Sequence, residues 1–404
     1  VPYKENEAGR RYILPPADAV VDPRQEGCEY PFKGLCGAAV AYKLVEALCE
    51  ANGQDVADLD YLLENVAIAT VADVMDLTEE NRILVKQGLE MLKRTSNLGL
   101  RALIQCIGLE GKKIQAYHIG FILAPCLNAS GKLDTAKRAL ALLRAKTGRE
   151  ADMLAGDLEA LNESRRDMTD RDVDEAMAKV ERTDIRGDKV LVIYLPDCHE
   201  SLAGLVAGRV RENYYRPVFV LTDSEDGVKG SGRSIESYSM YEELTGCGDL
   251  LTKFGGHPMA AGLSLDKENV EKFKRRLNDQ CTLSEEELTE KVVIDMELPF
   301  AAITEQFIEE LEYMEPFGKG NTKPVFAARG VVMQHVKIIG KNKNVAKATA
   351  IDAAGNRMEA ICFHDAQEFA ERCEKNNGKM SITFYPGINE FRGERQIQIV
   401  ITHY

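Results

Sequence analysis

Apolar and polar positions follow different periods along this chain, and the changes of period mark its organisation. Residues 32–50, FKGLCGAAVAYKLVEALCE, read as a helix with small residues on one side, which permits close packing. Residues 59–76, LDYLLENVAIATVADVMD, are apolar and end at an acidic corner. Thr78 then stands as an N-cap, with Glu79 and Glu80 opening a helix that runs to about Lys93. Residues 134–182 are polar and periodic, with Leu140, Leu143, Met153, Leu158, Leu161 and Met168 near helical spacing. Gly148 and Gly156 are expected to break or bend this run. Its part from 157 to 182 would extend ~39 Å as one helix, the length of a connector between compact regions.

Beyond residue 186 the pattern changes twice. KVLVIYL (189–195) and PVFVLT (217–222) read as buried strands, with one helical face of Leu202, Leu205, Val206 and Val210 between them. Strand, helix and strand in so short a span make a parallel pair with a right-handed crossover, the start of an α/β domain running to about 282. From about 290 onward, runs such as VVIDMEL, PVFAARGVVMQHVKIIG, VAKATAIDA, RMEAICF, KMSITFYPGI and RQIQIVITHY are β-rich and punctuated by Gly, Asn and Asp. With one helical stretch near 364–375 they suit a small β-barrel such as an OB-fold.

The 404 residues suffice for two or three domains, and 45% hydrophobic content supplies cores for them. Lys plus Arg number 51 against 65 Asp plus Glu, a net charge of −14, which excludes a protein that coats nucleic acid by bulk charge. No apolar run approaches the ~18 residues of a membrane span. Residues 1–11 are polar and charged, so no signal peptide is expected. Residue 1 is Val, which suggests a processed start or a longer parent chain. None of the ten cysteines forms a C-x-x-C pair, so no zinc-finger spacing exists and a reduced, cytoplasmic protein is the simplest reading.

Five segments carry candidate chemistry, each beside a plainer alternative. Asp73, directly after an apolar run, suits a hard cation, or simply leads into the helix at Thr78. In HIGFILAPCLNASGKLDTA (118–136), Asn128 and Lys132 near Gly131 could contact a phosphate, or the segment is an ordinary loop before the long helix. In GVKGSGRSIES (227–237), glycines let the backbone approach an anion that Arg233 can clamp, or the segment is a glycine hairpin. In FGGHPMAAG (254–262), backbone amides and His257 form an anion pocket or a structural turn. Residues 316–351 hold seven basic residues (Lys319, Lys323, Arg329, Lys337, Lys341, Lys343 and Lys347) and no acidic one, a face that tracks a phosphate backbone or is merely solvated. Phe317 could add stacking there, whereas Phe326 suits the core.

In order and spacing, YPFKGLCGAAVAYKL, ATVADVMDLTEENRILVKQGL, IGFILAPCLNASGKL, KGSGRS, FGGHPMAAGL and EPFGKGNTKPVF resemble the RecJ exonuclease family of the DHH phosphoesterase superfamily. The resemblance runs from about residue 13 to the C-terminus. It implies an α/β multidomain fold: the C-terminal remnant of a DHH α/β domain (1–133), a connecting helix (134–185), an α/β DHHA1 domain (186–283) and an OB-fold barrel (290–404). It implies 5′→3′ hydrolysis of single-stranded DNA with Mn²⁺ or Mg²⁺ in recombination and repair, beside single-strand-binding protein and helicase. Asp73 matches a metal-ligating, catalytic aspartate. Ser231, Gly232 and Arg233 match a substrate-binding loop, and Gly255, Gly256 and His257 match a loop facing the active cleft, with His257 catalytic. Asn128 and Lys132 fall in a further substrate segment, where the family usually has Arg at the positions of Cys126 and Lys132. Lys337, Lys341 and Lys343 fall in the OB-fold.

The family's Asp-x-Asp motif, its further Asp and its Asp-His-His triplet do not occur in this sequence. The expectation is that the chain begins just after that triplet and alone has little or no nuclease activity, since one carboxylate cannot hold a two-metal centre. A non-catalytic single-strand-binding module is the competing reading. A short-oligonucleotide phosphodiesterase of the same superfamily generally lacks the OB-fold, and no synthetase-like segment supports an aminoacyl-tRNA editing domain.

Overall fold

The computed structural model describes the chain except residues 1–2, 7–8, 13, 134, 341–342, 364 and 392, and except the side chains of 3–6, 9–12, 132, 133 and 391. A hairpin of β1 (Tyr3–Asn6) and β2 (Gly9–Tyr12) precedes the first helices. Helix α1 (Gly37–Ala51) starts five residues later than the apolar pattern suggests, because Cys36 is still extended at its N-cap. α2 (Leu63–Ala72) and α3 (Glu79–Leu92) pack so closely that a Cβ on Gly88 would lie 2.3 Å from the Leu63 carbonyl oxygen. Thr78 does cap α3 by position, but its side chain makes no capping bond. The helix start is held instead by Asn81, which is buried and donates to the carbonyls of Gly34 and Asp76. Glu80 adds an ion pair to Lys43 and accepts from the Tyr30 hydroxyl.

After α4 (Leu98–Cys106), the segment expected as a loop is helical up to Leu133: α5 (Ala116–His118), a π turn (Ile119–Leu123) and α6 (Ala124–Leu133). Ile119, Leu123, Cys126 and Ala129 are buried at helical spacing, and Pro125 follows the π turn, where the backbone ladder is already interrupted. Short α7 (Lys137–Leu143) leads to α8 (Gly148–Arg182), one unbroken helix of 35 residues. Gly148 begins it, under the Thr147 side chain that accepts from the Glu150 N–H. Gly156 does not break it; a single glycine inside so long a helix costs only about 1 kcal/mol.

The next element set is a five-stranded sheet. β3 (Leu191–Tyr194), α9 (Ala203–Tyr214) and β4 (Val218–Ser224) form the expected parallel crossover, with Leu191 opposite Val218. β5 (Gly227–Arg233), α10 (Met240–Gly246), β6 (Leu251–His257), β7 (Ala260–Leu265) and α11 (Val270–Gln280) follow, and the strand order is β3-β4-β5-β7-β6. One face buries Phe219, Leu221, Leu263 and Phe273. The other buries Val180 of α8 and Val206 and Val210 of α9 against Ile193 and Val220.

The C-terminal elements are β8 (Met296–Glu297), α12 (Glu305–Glu312), β9 (Phe326–Ile339), β10 (Val345–Ile351), β11 (Arg357–Cys362), α13 (Ala366–Lys375), β12 (Lys379–Phe391) and β13 (Glu394–His403). The order β10-β11-β13-β12-β9 closes on itself through β9–β10, with β11 and β13 parallel. That is a five-stranded OB barrel with its helix between the third and fourth strands. The chain forms two compact units: residues 1–96, 111–124 and 293–404, and residues 97–110 and 125–292. The expected first segment, 1–133, is therefore shared between them. In the first unit the EPFGKGN segment is a clamp: Arg82 donates to the carbonyls of Tyr313 and Glu315, Gln115 donates to Glu315, and the Leu77 N–H reaches the Lys319 carbonyl.

Candidate nucleic-acid interface

Strand register in the five-stranded sheet brings two sequence segments together. Ala260 of β7 lies opposite Arg233 of β5 on one side and His257 of β6 on the other. Gly262 likewise lies between Ser231 and Gly255, and Ser264 between Lys229 and Lys253. Directly opposed residues of antiparallel strands share a face. These nine positions therefore form one patch three strands wide, with Arg233 and His257 about 10 Å apart at strand spacing. It carries three cations, two hydroxyls, an imidazole and a centre stripped of side-chain bulk. Cavities of about 440 Å³, beside Lys229, Lys253 and Gly255, and about 500 Å³, beside Arg233, open on it.

The glycines correct the expectation for KGSGRS. The segment is a strand, not a loop, and Gly232 faces the core: a Cβ there would stand 2.5 Å from Met240 Sδ and 2.6 Å from Phe219 Cε1. Gly232 is thus a packing residue rather than a substrate contact. Gly255 is the opposite case, exposed, with nothing within 4 Å of an added Cβ. Gly256 has φ +152° and its Cβ would meet the Ala260 carbonyl oxygen at 2.4 Å, so the hairpin geometry itself demands glycine.

Arg233 is held before any ligand arrives. Its Nη1 donates to the Gly232 carbonyl (2.8 Å) and the Ser231 hydroxyl (3.3 Å). Gly204 of α9 leaves the space it lies in, since a Cβ there would be 2.7 Å from Arg233 Nη2. Burial, then the nearby Arg211 charge, lowers its pKa from the usual value, although a guanidinium stays protonated. The His257 hairpin is tied down by Ser234 N–H to Met259 O and Met240 N–H to Pro258 O. His257 Nδ1 accepts from the Met259 N–H at 3.3 Å, which leaves Nε2 on the exposed side.

Asp73 caps the C-terminal end of α2 in the first unit, exposed, beside Val74 at φ +54°. Nearby Asp76 is engaged by Lys319 at 3.0 Å. Among the described residues, no three His, Cys, Asp or Glu side chains gather around one point, so these residues do not by themselves fit a divalent-cation centre. Asn128 is exposed on α6, in a helix and not at a glycine turn. The side chain of Lys132 and all of Lys341 lie outside the described residues.

The basic stretch 316–351 is less positive in space than in sequence. Lys319 meets Asp76, Arg329 meets Glu297 at 3.8 Å, Lys347 meets Glu359 at 2.7 Å, and Lys323 lies 4.8 Å above the Tyr385 ring. Exposed Lys337 and Lys343, towards the β9–β10 turn, pair with no carboxylate among the described residues. Phe326 is core and Phe317 packs edge-on against Tyr385.

Sequence reasoning missed Lys253 and the arginines of α8 and α9, which only the fold brings to the site. It also missed a cavity of about 810 Å³ in the first unit, beside the exposed, stacked pair Tyr117 and Phe121 (4.9 Å) and Val74. Among the described residues no helix is long and apolar enough to cross a membrane.

Residues 187–283 match the family model of the DHHA1 domain and residues 294–403 that of the RecJ OB domain. A single-stranded-DNA-specific exonuclease RecJ from Bacillus subtilis is 36% identical over 96% of this chain and 49% of its own length. Its counterpart from Salmonella typhimurium is 33% identical over 96% of this chain and 70% of its own length. The crystal structure of RecJ in complex with Mn²⁺ from Thermus thermophilus superposes with a TM-score of 0.78 at 26% identity, over 93% of this chain and 53% of that one. The Mg²⁺ complex gives 0.75. The chain thus spans about half the length of the Bacillus and Thermus relatives.

Proposed function

The chain belongs to the RecJ family of single-stranded-DNA-specific exonucleases, and on that premise we propose that it grips the sugar-phosphate backbone of an unpaired DNA strand for 5′→3′ phosphodiester hydrolysis. The observation that supports this is the nine-position patch that joins Arg233, Ser231, Gly255 and His257 across three strands. Arg233 and Lys253 neutralise phosphate charge, and Ser231 and Ser264 donate hydroxyl hydrogen bonds. Gly255 and Gly262 let the strand's backbone lie against the sheet, and His257 Nε2 stands at the hairpin end to donate to a phosphate oxygen. Exposed Lys337 and Lys343 give the OB-fold its own contacts to a phosphate backbone. The division into segments 1–133, 134–185, 186–283 and 290–404 is part of the same reading. Mn²⁺ or Mg²⁺ enters at family level only, as the agent that would activate water and neutralise charge on the phosphate.

The test is a fluorescence-anisotropy titration of the 404-residue chain with a labelled oligo-dT at several salt concentrations. Arg233→Ala should weaken binding and reduce the slope of log affinity against log salt by about 0.7, the value of one phosphate contact on a single strand. Unchanged affinity and slope would remove Arg233 from the interface. That no three His, Cys, Asp or Glu side chains gather among the described residues favours a second reading, in which this chain binds without cutting. Incubation with Mn²⁺ and labelled single strands should then leave the DNA intact, and robust turnover would overturn that second reading.

A further inference from the structure

Helix α2 ends in a turn whose backbone its own residues do not favour. The Val74 N–H bonds the Val71 carbonyl and the Met75 N–H bonds the Thr70 carbonyl, the paired bonds of a Schellman end with Val74 as its left-handed residue. Glycine is usual at that position, and a β-branched residue at φ +54° is an outlier. Glu79, at φ +45°, occupies the same region where the turn enters α3. Asp73 stands at the C-cap, one residue before Val74. Strained residues of this kind persist only where their surroundings over-determine them. Val74 is 63% exposed, so packing of its own side chain does not hold it.

What holds the turn comes from the segment that leads into the barrel. The Leu77 N–H donates to the Lys319 carbonyl at 2.7 Å, and Lys319 Nζ reaches Asp76 at 3.0 Å. Two glycines let that segment lie directly on the turn. A Cβ on Gly318 would stand 2.6 Å from Cδ1 of the buried Leu77, and one on Gly320 3.0 Å from Asp76 Cβ. The segment is braced internally as well. Asn321 Nδ2 donates to the carbonyls of Met314 (2.8 Å) and Pro316 (2.9 Å), and Gly318 and Asn321 exchange backbone hydrogen bonds. Its remaining side meets the barrel: Phe317 packs edge-on against Tyr385 of β12, and Lys323 Nζ lies 4.8 Å above the same ring. The cavity of about 810 Å³ is lined by Val74 and Met75 of the turn and by Pro316 and Lys319 of this segment, which leaves the turn room to move.

We propose that residues 314–323 are a strap through which the barrel sets the conformation of the α2–α3 turn, with Asn321 and Tyr385 as positioning residues that act on the turn through the strap. The strap supplies the hydrogen bond, the ion pair and the close backbone approach that keep Val74 left-handed. When the strap loosens, Val74 relaxes towards the ordinary regions of φ and ψ, and the carboxylate of Asp73, one residue away, is re-aimed with it. That carboxylate matches the family's catalytic aspartate, so the device ties the barrel to that position. Because only the backbone of the turn is involved, neither a bound strand nor an ion is needed, and the device stands apart from the DNA reading.

The test is amide hydrogen–deuterium exchange, resolved residue by residue on the 404-residue chain, for wild type, Asn321→Ala, Tyr385→Leu, Val74→Gly and Val74→Gly with Asn321→Ala. The readout is the amides of Val74 and Met75, whose acceptors both lie in α2, so no strap variant removes a bond of theirs. Asn321→Ala deletes two hydrogen bonds inside the strap and should speed their exchange roughly 5- to 30-fold. Tyr385→Leu should act in the same direction. Amides in the middle of α2, such as Ile68, and in the barrel, such as Ala348 of β10, should keep their rates. Val74→Gly removes the left-handed penalty and should slow exchange at the turn roughly 5-fold, and in the double variant should bring the rates back towards wild type. Unchanged rates at Val74 and Met75 in both Asn321→Ala and Tyr385→Leu overturn the proposal. So does a rise spread evenly over helices and barrel, which marks a loss of global stability. Faster exchange at the turn that Val74→Gly fails to offset would show that the strap is not what holds Val74, and would overturn it as well.

Discussion

Two glycines within the same patch should fail in opposite ways when each is given a methyl group. In Gly232→Ala the new Cβ stands 2.5 Å from Met240 Sδ and 2.6 Å from Phe219 Cε1. Both side chains are fully buried, and the Phe219 ring packs edge-on against Phe273 with centroids 5.7 Å apart, so neither can swing away. Overpacking of this kind costs about 1–3 kcal/mol. The stiffer unfolded chain returns about 0.4–1 kcal/mol. A net loss of roughly 0.5–2 kcal/mol lowers Tm by about 1–8 °C for a unit of this size. In Gly255→Ala nothing lies within 4 Å of the added carbon, so Tm should hold to about 0.5 kcal/mol in stability. The methyl does, however, project from the face proposed to meet the DNA backbone. Thermal melts by circular dichroism, paired with oligo-dT titrations well below Tm, separate the two. Gly232→Ala should melt early and bind normally, while Gly255→Ala should melt normally and bind weakly. A Gly232→Ala protein with unchanged Tm and lost affinity would refute the assignment of that glycine to packing.

Other outcomes follow from single groups. His118 Nδ1 accepts from the Gln115 N–H at 2.9 Å, and burial, then the Lys112 charge, lowers its pKa, so the folded state favours neutral imidazole. A lowered histidine pKa gives stability that is present at high pH and lost as pH falls below roughly 6.5; the wild type should lose Tm against His118→Gln on acidification, and parallel pH profiles would rule this out. Lys337→Ala should weaken single-strand binding and lower the salt slope, whereas Lys347→Ala, whose charge already faces Glu359 at 2.7 Å, should change the slope less. Equal slopes in the two lysine variants would place neither on the strand's path. In Gly99→Ala the added Cβ would lie 2.0 Å from the Leu142 carbonyl oxygen, so the chain should lose about 1–3 kcal/mol in a denaturant titration.

Elements whose burial repeats at one period were legible in the sequence. The α9 face of Val206 and Val210, the strands at 191–194 and 218–224 and the barrel strands β9 to β13 stand where the apolar pattern put them, whereas of VVIDMEL (292–298) only Met296–Glu297 is a strand. Segments in which polar and small residues interrupt the pattern were not. HIGFILAPCLNASGKL contains Pro, Asn, Ser and Gly, the vocabulary of turns, yet it is helical because its apolar positions recur at helical spacing around a π turn. Gly156 was read as a break because propensity was weighed alone, while the other residues of α8 hold the helix through it.

The site was legible as a set of letters but not as a surface, and strand register is what turns one into the other. Arg233 and His257 are 24 residues apart in sequence and belong to different motifs; Ala260 stands between them because β7 pairs with both β5 and β6. The same register decides which glycine of each motif looks outward, and so separates Gly255 from Gly232 although both precede a charged or ionisable residue by one or two positions. Charge is redistributed in the same way. The basic stretch 316–351 has no acidic residue of its own, but Asp76, Glu297 and Glu359 come from elsewhere in the fold to meet three of its cations. On the proposed reading, contact with DNA depends less on the count of basic residues than on which of them the fold leaves without a carboxylate among the described residues, which selects Arg233 and Lys253 on the five-stranded sheet and, separately, Lys337 and Lys343 on the barrel.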